Sequence, residues 1–128
     1  MNKLIWTLQI LAALAFAGSG GMKLLTAPAD LRANPNMGWS TDFSDGAIRA
    51  IGAAEVAGAV GLIAPAATNI APMLTPVAGV GLAALMGGAV YTHVRRNEPT
   101  VPALVLGALA LAAALLRARQ LKIGAKGS

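Results

Sequence analysis

The sequence contains no cysteine and only one histidine, His93. The lack of cysteine excludes disulfides, thiol redox chemistry and thiolate metal sites. A single histidine supplies too few ligands for a stable haem or transition-metal site. We therefore expect no metal and no covalent cofactor, and any redox role would have to use a bound molecule.

Charge is also scarce, at 12% of residues against 56% hydrophobic, which excludes an ordinary soluble domain. Segments 5–22 and 99–116 carry no charge, and the only ionisable residues in 56–94 are Tyr91 and His93. Each run contains at least about 18 residues, enough to cross roughly 30 Å of hydrocarbon as a helix. The sequence therefore predicts a polytopic integral membrane protein.

Proline and charge divide the chain into four predicted spans, at residues 4–25, 47–64, 73–94 and 102–120. We expect an all-α fold, an antiparallel bundle of four transmembrane helices that forms one domain over residues 1–128. Pro65 is expected to end the second span, because proline lacks an amide hydrogen and disrupts the preceding helical turn. Short connections make the last three spans antiparallel neighbours.

The first connection, residues 26–45, differs from the two short ones. It holds three aspartates, Arg32, two prolines and the apolar pair Trp39 and Phe43. It could fold back on the membrane surface as a lid, or it could be a plain solvated loop.

Basic residues lie at the ends of the segments. The net charge of +5 therefore indicates contacts with lipid headgroups and a defined orientation in the membrane, rather than binding of nucleic acid. One side carries five basic residues, Lys3 and a basic tail of four, and the other side carries four. This margin favours both termini in the cytoplasm. The tail residues are Arg117, Arg119, Lys122 and Lys126, and those opposite are Arg32, Arg49, Arg95 and Arg96.

Glu55 lies in the small, apolar stretch 50–64, where an unpaired carboxylate is costly. The predicted topology places Lys23 in the same leaflet, within reach of Glu55 if the first two spans are in contact. The pair could only fix helix register, or it could also form a ligand or proton site.

His93 and Tyr91 lie near the same membrane face. Both could simply occupy the interface, which is common for residues at helix ends. Alternatively, His93 could donate a hydrogen bond over a pocket. We expect Lys23, Glu55, His93 and Tyr91 to form a polar cluster, with the opposite leaflet apolar and a lipid-like or quinone-like molecule bound beneath the Trp39 connection.

Small residues recur at four-residue spacing in the second and third spans, as in Ala54 and Gly58 or Ala83 and Gly87. This spacing lets helices approach closely in lipid. It predicts a tight bundle whose faces could also dock onto a larger membrane complex or a second copy of the chain.

Segments 19–25 (SGGMKLL), 51–63 (IGAAEVAGAVGLI) and 92–98 (THVRRNE) resemble the DoxX-like family of small four-helix membrane proteins. The resemblance implies a bacterial inner-membrane protein associated with redox complexes or quinones. The positions that match the family's polar pattern are Lys23, Glu55, His93, Arg96 and Glu98. Asn97 departs from it, since we expect glycine in that turn.

We therefore expect an accessory or assembly subunit of a membrane redox complex, with membrane lipids and a larger complex or homo-oligomer as partners and a quinone or lipid as the candidate ligand. No complete catalytic set is visible, which argues against independent catalytic activity. An independent quinone-linked oxidoreductase component and a small-molecule transporter are the alternatives.

Overall fold

The computed structural model describes residues 2–127, with side chains through residue 124. Met1, Ser128 and the side chain of Lys126 lie outside that part. The described residues form α1 (Asn2–Leu25), α2 (Pro28–Ala33), a 3₁₀ helix (Pro35–Asp42), α3 (Asp45–Thr68), α4 (Leu74–Arg95) and α5 (Val101–Gly127). Helices α1, α3, α4 and α5 are long and apolar enough to cross a membrane. The prediction of four spanning helices is confirmed.

The four long helices pack in a ring, with α1 against α3 and α5, and α4 against α3 and α5. Contacts between α1 and α3 run in opposite residue order, since Gln9 meets Leu62 at one end and Gly20 approaches Gly52 at the other. The buried apolar core between the helices includes Phe16, Leu62, Leu82, Met86 and several alanines.

Glycine permits the close crossing of α1 and α3. A Cβ atom on Gly20 would lie 2.5 Å from the carbonyl oxygen of Gly52, and a Cβ atom on Gly52 would lie 2.8 Å from Lys23 Cβ. A neighbouring backbone cannot easily yield, so larger residues would push the helices apart. The crossing places Lys23 and Glu55 next to each other.

Helix α3 continues through Pro65 to Thr68, so the predicted end of the second span at residue 64 is wrong. Pro65 has no amide hydrogen for the carbonyl oxygen of Gly61, four residues earlier. The hydroxyl of Thr75, on α4, donates a hydrogen bond to that oxygen at 2.9 Å. A neighbouring helix thus supplies the missing donor, which is how proline is tolerated in membrane helices.

The long first connection contains two helices rather than an irregular loop. Its last residue before α3, Ser44, caps that helix by accepting a hydrogen bond from Ala47 N at 3.1 Å. The connection's position on a membrane surface stays a prediction. At the other end of the chain, α5 runs beyond the predicted end at residue 120 to Gly127.

Candidate ligand cleft

A cleft of about 860 Å³ opens between α1, α3, α4 and the beginning of α5, and the 3₁₀ helix forms part of its wall. The predicted site residues Lys23, Glu55, Tyr91 and His93 all line it. The volume lies in the range of roughly 300–1,000 Å³ typical of small-molecule sites. Three long helices therefore bring the predicted polar residues to one cavity.

An ion pair between Lys23 and Glu55 forms the floor of the cleft. Lys23 Nζ lies 2.7 Å from Glu55 Oε1, and the glutamate is only 1% exposed. Lys23 Nζ also donates to Ser19 Oγ at 2.6 Å and lies 5.4 Å from the centre of the Trp39 ring. The lysine thus has partners on α1, α3 and the 3₁₀ helix.

Glu55 has fewer interaction partners than Lys23. Its Oε2 atom is buried and has no hydrogen-bond or ion-pair partner among the described residues. A carboxylate oxygen in an apolar bundle is costly to leave in this state. The compensation of this charge therefore depends almost entirely on Lys23.

His93 pairs with Glu98 rather than with Glu55. Its Nδ1 atom lies 3.0 Å from Glu98 Oε1, and Arg96 Nε lies 3.3 Å from the same oxygen. If Nδ1 carries the hydrogen and donates it to Glu98, the other ring nitrogen, Nε2, is left to accept a hydrogen bond. The carboxylate thereby fixes which ring atom is free for a ligand.

The turn after α4 explains why Glu98 reaches His93. The Glu98 amide donates to the His93 carbonyl at 2.8 Å, and the Asn97 amide donates to the Val94 carbonyl at 3.1 Å. This pair of bonds is a Schellman motif, in which the residue after the helix C-cap adopts the left-handed conformation. Asn97 supplies it with φ of 55°, and asparagine is among the few residues that adopt this conformation readily. The turn therefore forms without the expected glycine.

Tyr91 is 69% exposed, so it lies at the rim of the cleft rather than in its floor. A ring in this position fits the interfacial interpretation as well as it fits a contact with a ligand. Its neighbour Thr92 is buried and donates its hydroxyl to the Gly88 carbonyl at 3.0 Å.

Ion pairs attach the first connection to the end of α4. Asp42 accepts hydrogen bonds from Arg95 and Arg96, both at 2.8 Å. On the cleft side, Trp39 and Phe43 stack edge to face with ring centres 5.9 Å apart. The connection therefore presents aromatic rings to the cleft and charged groups to the bundle end.

A second polar cluster, at the opposite end of the bundle, corrects the expectation that the other leaflet is apolar. Gln9 is fully buried, donates to the Leu62 carbonyl at 2.6 Å, and accepts from Arg117 Nε at 2.7 Å. Arg117 is 6% exposed, so it is part of the bundle and not a tail residue. The single glutamine within the charge-free segment 5–22 was the available sequence signal for this cluster.

The cleft offers hydrogen bonding and ion pairing as its chemistry. Within the described part of the chain, no group of three His, Cys, Asp or Glu side chains is placed to hold a metal ion. Lys23, Glu55 and His93 can bind, orient or exchange protons with a molecule, but they do not form a nucleophile with its activating base.

Comparison with known proteins identifies the family. The sequence model of the DoxX-like family matches residues 7–122. The chain therefore belongs to the DoxX-like family. No curated protein and no solved structure gives a significant match to it.

Proposed function

We propose that this DoxX-like membrane protein binds an amphipathic molecule, quinone-like or lipid-like, in the cleft beside Lys23 and His93, and that it acts as an accessory subunit in a membrane redox complex. The observation that carries the ligand proposal is that polar side chains, among them Lys23, Glu55 and His93, line one end of the cleft while apolar side chains line the rest. Such an arrangement holds a polar head group and an apolar tail at once.

The two parts of the cleft have different chemistry. Toward the 3₁₀ helix, Lys23, His93 and Trp39 provide donors, an acceptor and an aromatic face. Toward the bundle centre, Leu85, Met86, Ala103 and Leu106 provide an apolar wall between α4 and α5. A ring bearing carbonyl or hydroxyl groups would lie in the first part, with its tail along the second.

His93 and Lys23 have separate roles in this proposal. His93 Nε2 faces the head group, since Nδ1 is held by Glu98. Nε2 accepts a hydrogen bond from a hydroxyl group when the ring is neutral, and donates one to a carbonyl group when the ring is protonated. Lys23 holds positive charge near the head group while it neutralises Glu55. The protein contributes binding and orientation, and any electron transfer belongs to the bound molecule or to a partner.

Tryptophan fluorescence can test this proposal, because Trp39 lines the cleft and the chain has only one other tryptophan. In the full chain with Trp6→Phe, titration with a short-chain quinone should quench Trp39 saturably. His93→Ala and Glu55→Gln should each weaken binding about tenfold or more, equivalent to about 1.4 kcal/mol.

Arg119→Gln is a suitable control, since that side chain is exposed at the opposite end. Circular dichroism would verify that each variant is folded. Unchanged affinity in both His93→Ala and Glu55→Gln, with the fold intact, would contradict the ligand proposal.

A groove between α3 and α4 favours the accessory role. It has a volume of about 540 Å³ and is lined by small residues of both helices, including Ala54, Ala57, Gly61 and Gly81. Small residues let a partner helix approach closely, where van der Waals contact drives association in lipid. We take the occupant to be a transmembrane helix of a larger complex in the bacterial inner membrane, with both termini of this chain cytoplasmic.

Copurification in a mild detergent tests the accessory role. A stoichiometric membrane partner that is lost on Ala57→Leu would support it. Recovery of the chain as a monomer or homo-oligomer from its native membrane would contradict it. Ala108→Leu, the same change at an exposed position of α5 outside the groove lining, is the control.

A further inference from the structure

The charges of this chain are divided unequally between the two ends of the bundle. All five acidic residues lie at the cleft end, in the first connection, in the first half of α3 or in the turn after α4. Five of the ten basic residues share that end with them. The remaining five, Lys3, Arg117, Arg119, Lys122 and Lys126, have no Asp or Glu at their end. The net charge of +5 is therefore concentrated at the end that holds the chain termini.

Arg117 is the buried member of this basic group. Its guanidinium donates to Gln9 Oε1 through Nε, and to Asn2 and Gln120 through one terminal nitrogen. It also lies over the Trp6 ring, 4.9 Å from the ring centre. All of these partners are neutral, so no described carboxylate balances the buried charge.

The donors of Arg117 are only partly used. A guanidinium has five N–H groups, and the bonds through Nε and one terminal nitrogen account for three of them. The other terminal nitrogen, Nη2, is buried and has no hydrogen-bond partner among the described residues. The arginine therefore lacks both a counter-charge and acceptors for its last two hydrogens.

We propose that Arg117 and Trp6 form a binding site for the phosphate of an anionic phospholipid in the leaflet that contains the chain termini. A phosphate supplies what the site lacks, a negative charge and strong acceptors. One oxygen can accept from Nη2, and a second can replace an amide acceptor on Nη1, which is the fork geometry that arginine presents to phosphate. This site is distinct from the cleft, which lies at the other end of the bundle.

The location of Arg117 fits a lipid headgroup. The residue lies ten positions before the end of α5 at Gly127, roughly 15 Å at about 1.5 Å per residue, and it hydrogen-bonds Asn2, the first residue of α1. It therefore lies at the level where α1 begins. Tryptophan is typical of the membrane interface. Exposed Lys3, Arg119 and Lys122 would attract an anionic surface to the same end.

Entry of the phosphate requires a side chain to rotate, since Nη2 is shielded in the bundle. Asn2 is exposed and Gln120 is half-buried, and both are held to Arg117 by hydrogen bonds from neutral groups. Exchange of one of these amides for a charged phosphate oxygen replaces a weaker acceptor by a stronger one.

Trp6 can report the binding directly. The full chain carrying Trp39→Phe, freed of lipid in a non-ionic detergent, would be titrated with short-chain phosphatidylglycerol, with phosphatidylcholine of the same chains, and with inorganic phosphate. We expect a saturable change in Trp6 emission with phosphatidylglycerol, at least tenfold weaker binding of phosphatidylcholine, and no saturation by inorganic phosphate at equal concentration. Equal affinity for the two lipids, or no saturable change, would overturn the proposal. If inorganic phosphate bound as tightly as phosphatidylglycerol, the site would bind free phosphate, and the proposal of a phospholipid site would be overturned.

A matched pair of variants separates a specific site from general surface charge. Arg117→Gln and Arg119→Gln remove the same charge two residues apart, one buried and one exposed. We expect Arg117→Gln to weaken phosphatidylglycerol binding at least tenfold and Arg119→Gln to change it less than twofold. Equal losses would overturn the proposal in favour of diffuse attraction. If Arg117→Gln does not fold, Arg117→Lys keeps the charge but removes the planar fork, and undiminished affinity in that variant would overturn the bidentate site.

Discussion

The two ends of this bundle both bury a charged side chain, but they compensate it differently. At the cleft end, Glu55 is neutralised by a single opposite charge on Lys23, 2.7 Å away. At the other end, Arg117 is surrounded by the neutral oxygens of Gln9, Asn2 and Gln120 and by the Trp6 ring. One site depends on one strong partner, and the other depends on several weak ones.

This difference has consequences for robustness and for binding. Removal of one member of a charge pair leaves the other buried and uncompensated, which is far more costly than loss of one neutral hydrogen bond. A charge surrounded by dipoles tolerates single losses and remains able to attract an ion. We therefore expect the cleft end to be the more sensitive to mutation, and the Arg117 end the more sensitive to lipid composition.

The largest effect is expected for Lys23→Met, which leaves the buried Glu55 without its counter-charge. By analogy with other buried pairs, the loss of stability should be about 3–5 kcal/mol. Glu55→Gln should cost less, because Lys23 retains Ser19 Oγ and the Trp39 ring. Denaturation of the purified chain in mixed detergent micelles, followed by circular dichroism, would measure both.

The double variant Lys23→Met/Glu55→Gln provides the control for this prediction. Since the two residues contact each other directly, its loss should be smaller than the sum of the single losses. Strictly additive losses would show that the pair does not act as a unit, and the contrast between the two ends would then disappear.

An intermediate effect is expected where α1 and α3 cross beside the ion pair. Gly20→Ala places a Cβ atom 2.5 Å from the Gly52 carbonyl oxygen, and such overpacking typically costs about 1–3 kcal/mol. Gly21→Ala is the matched control, because a Cβ atom there meets nothing within 4 Å. The same denaturation assay should show destabilisation for Gly20→Ala alone. Equal stability of the two variants would mean that close approach of the helices does not hold the pair together.

The smallest effect is expected for Gln9→Leu at the Arg117 end. The change removes one acceptor from Arg117 and one donor from the Leu62 carbonyl, while Asn2 and Gln120 remain. We expect a loss of about 1–2 kcal/mol, within the range for buried hydrogen bonds. A loss for Gln9→Leu as large as that for Lys23→Met would reverse the comparison between the two ends.

The sequence by itself determined the number of spanning helices and the family. Long charge-free runs can cross hydrocarbon only as helices. The segments around Lys23, Glu55 and His93 carried the resemblance to the DoxX-like family, whose model matches residues 7–122. The cost of a buried carboxylate also indicated that Glu55 needs a partner in its own leaflet. These conclusions follow from hydropathy and order along the chain, which do not depend on how the helices are rotated.

Only the tertiary structure decided which residues meet between helices. The sequence places Arg117 in the basic tail, but α5 packs against α1 and brings this arginine to Gln9. The sequence predicts that Pro65 ends its helix, but Thr75 on α4 supplies the missing hydrogen-bond donor. His93 pairs with Glu98 because the turn after α4 closes through the left-handed Asn97. In the first two cases the partner is set by the rotation and register of neighbouring helices, and small residues on nearly every face leave several packings compatible with one sequence pattern. In the third case the partner is set by the backbone conformation of the turn.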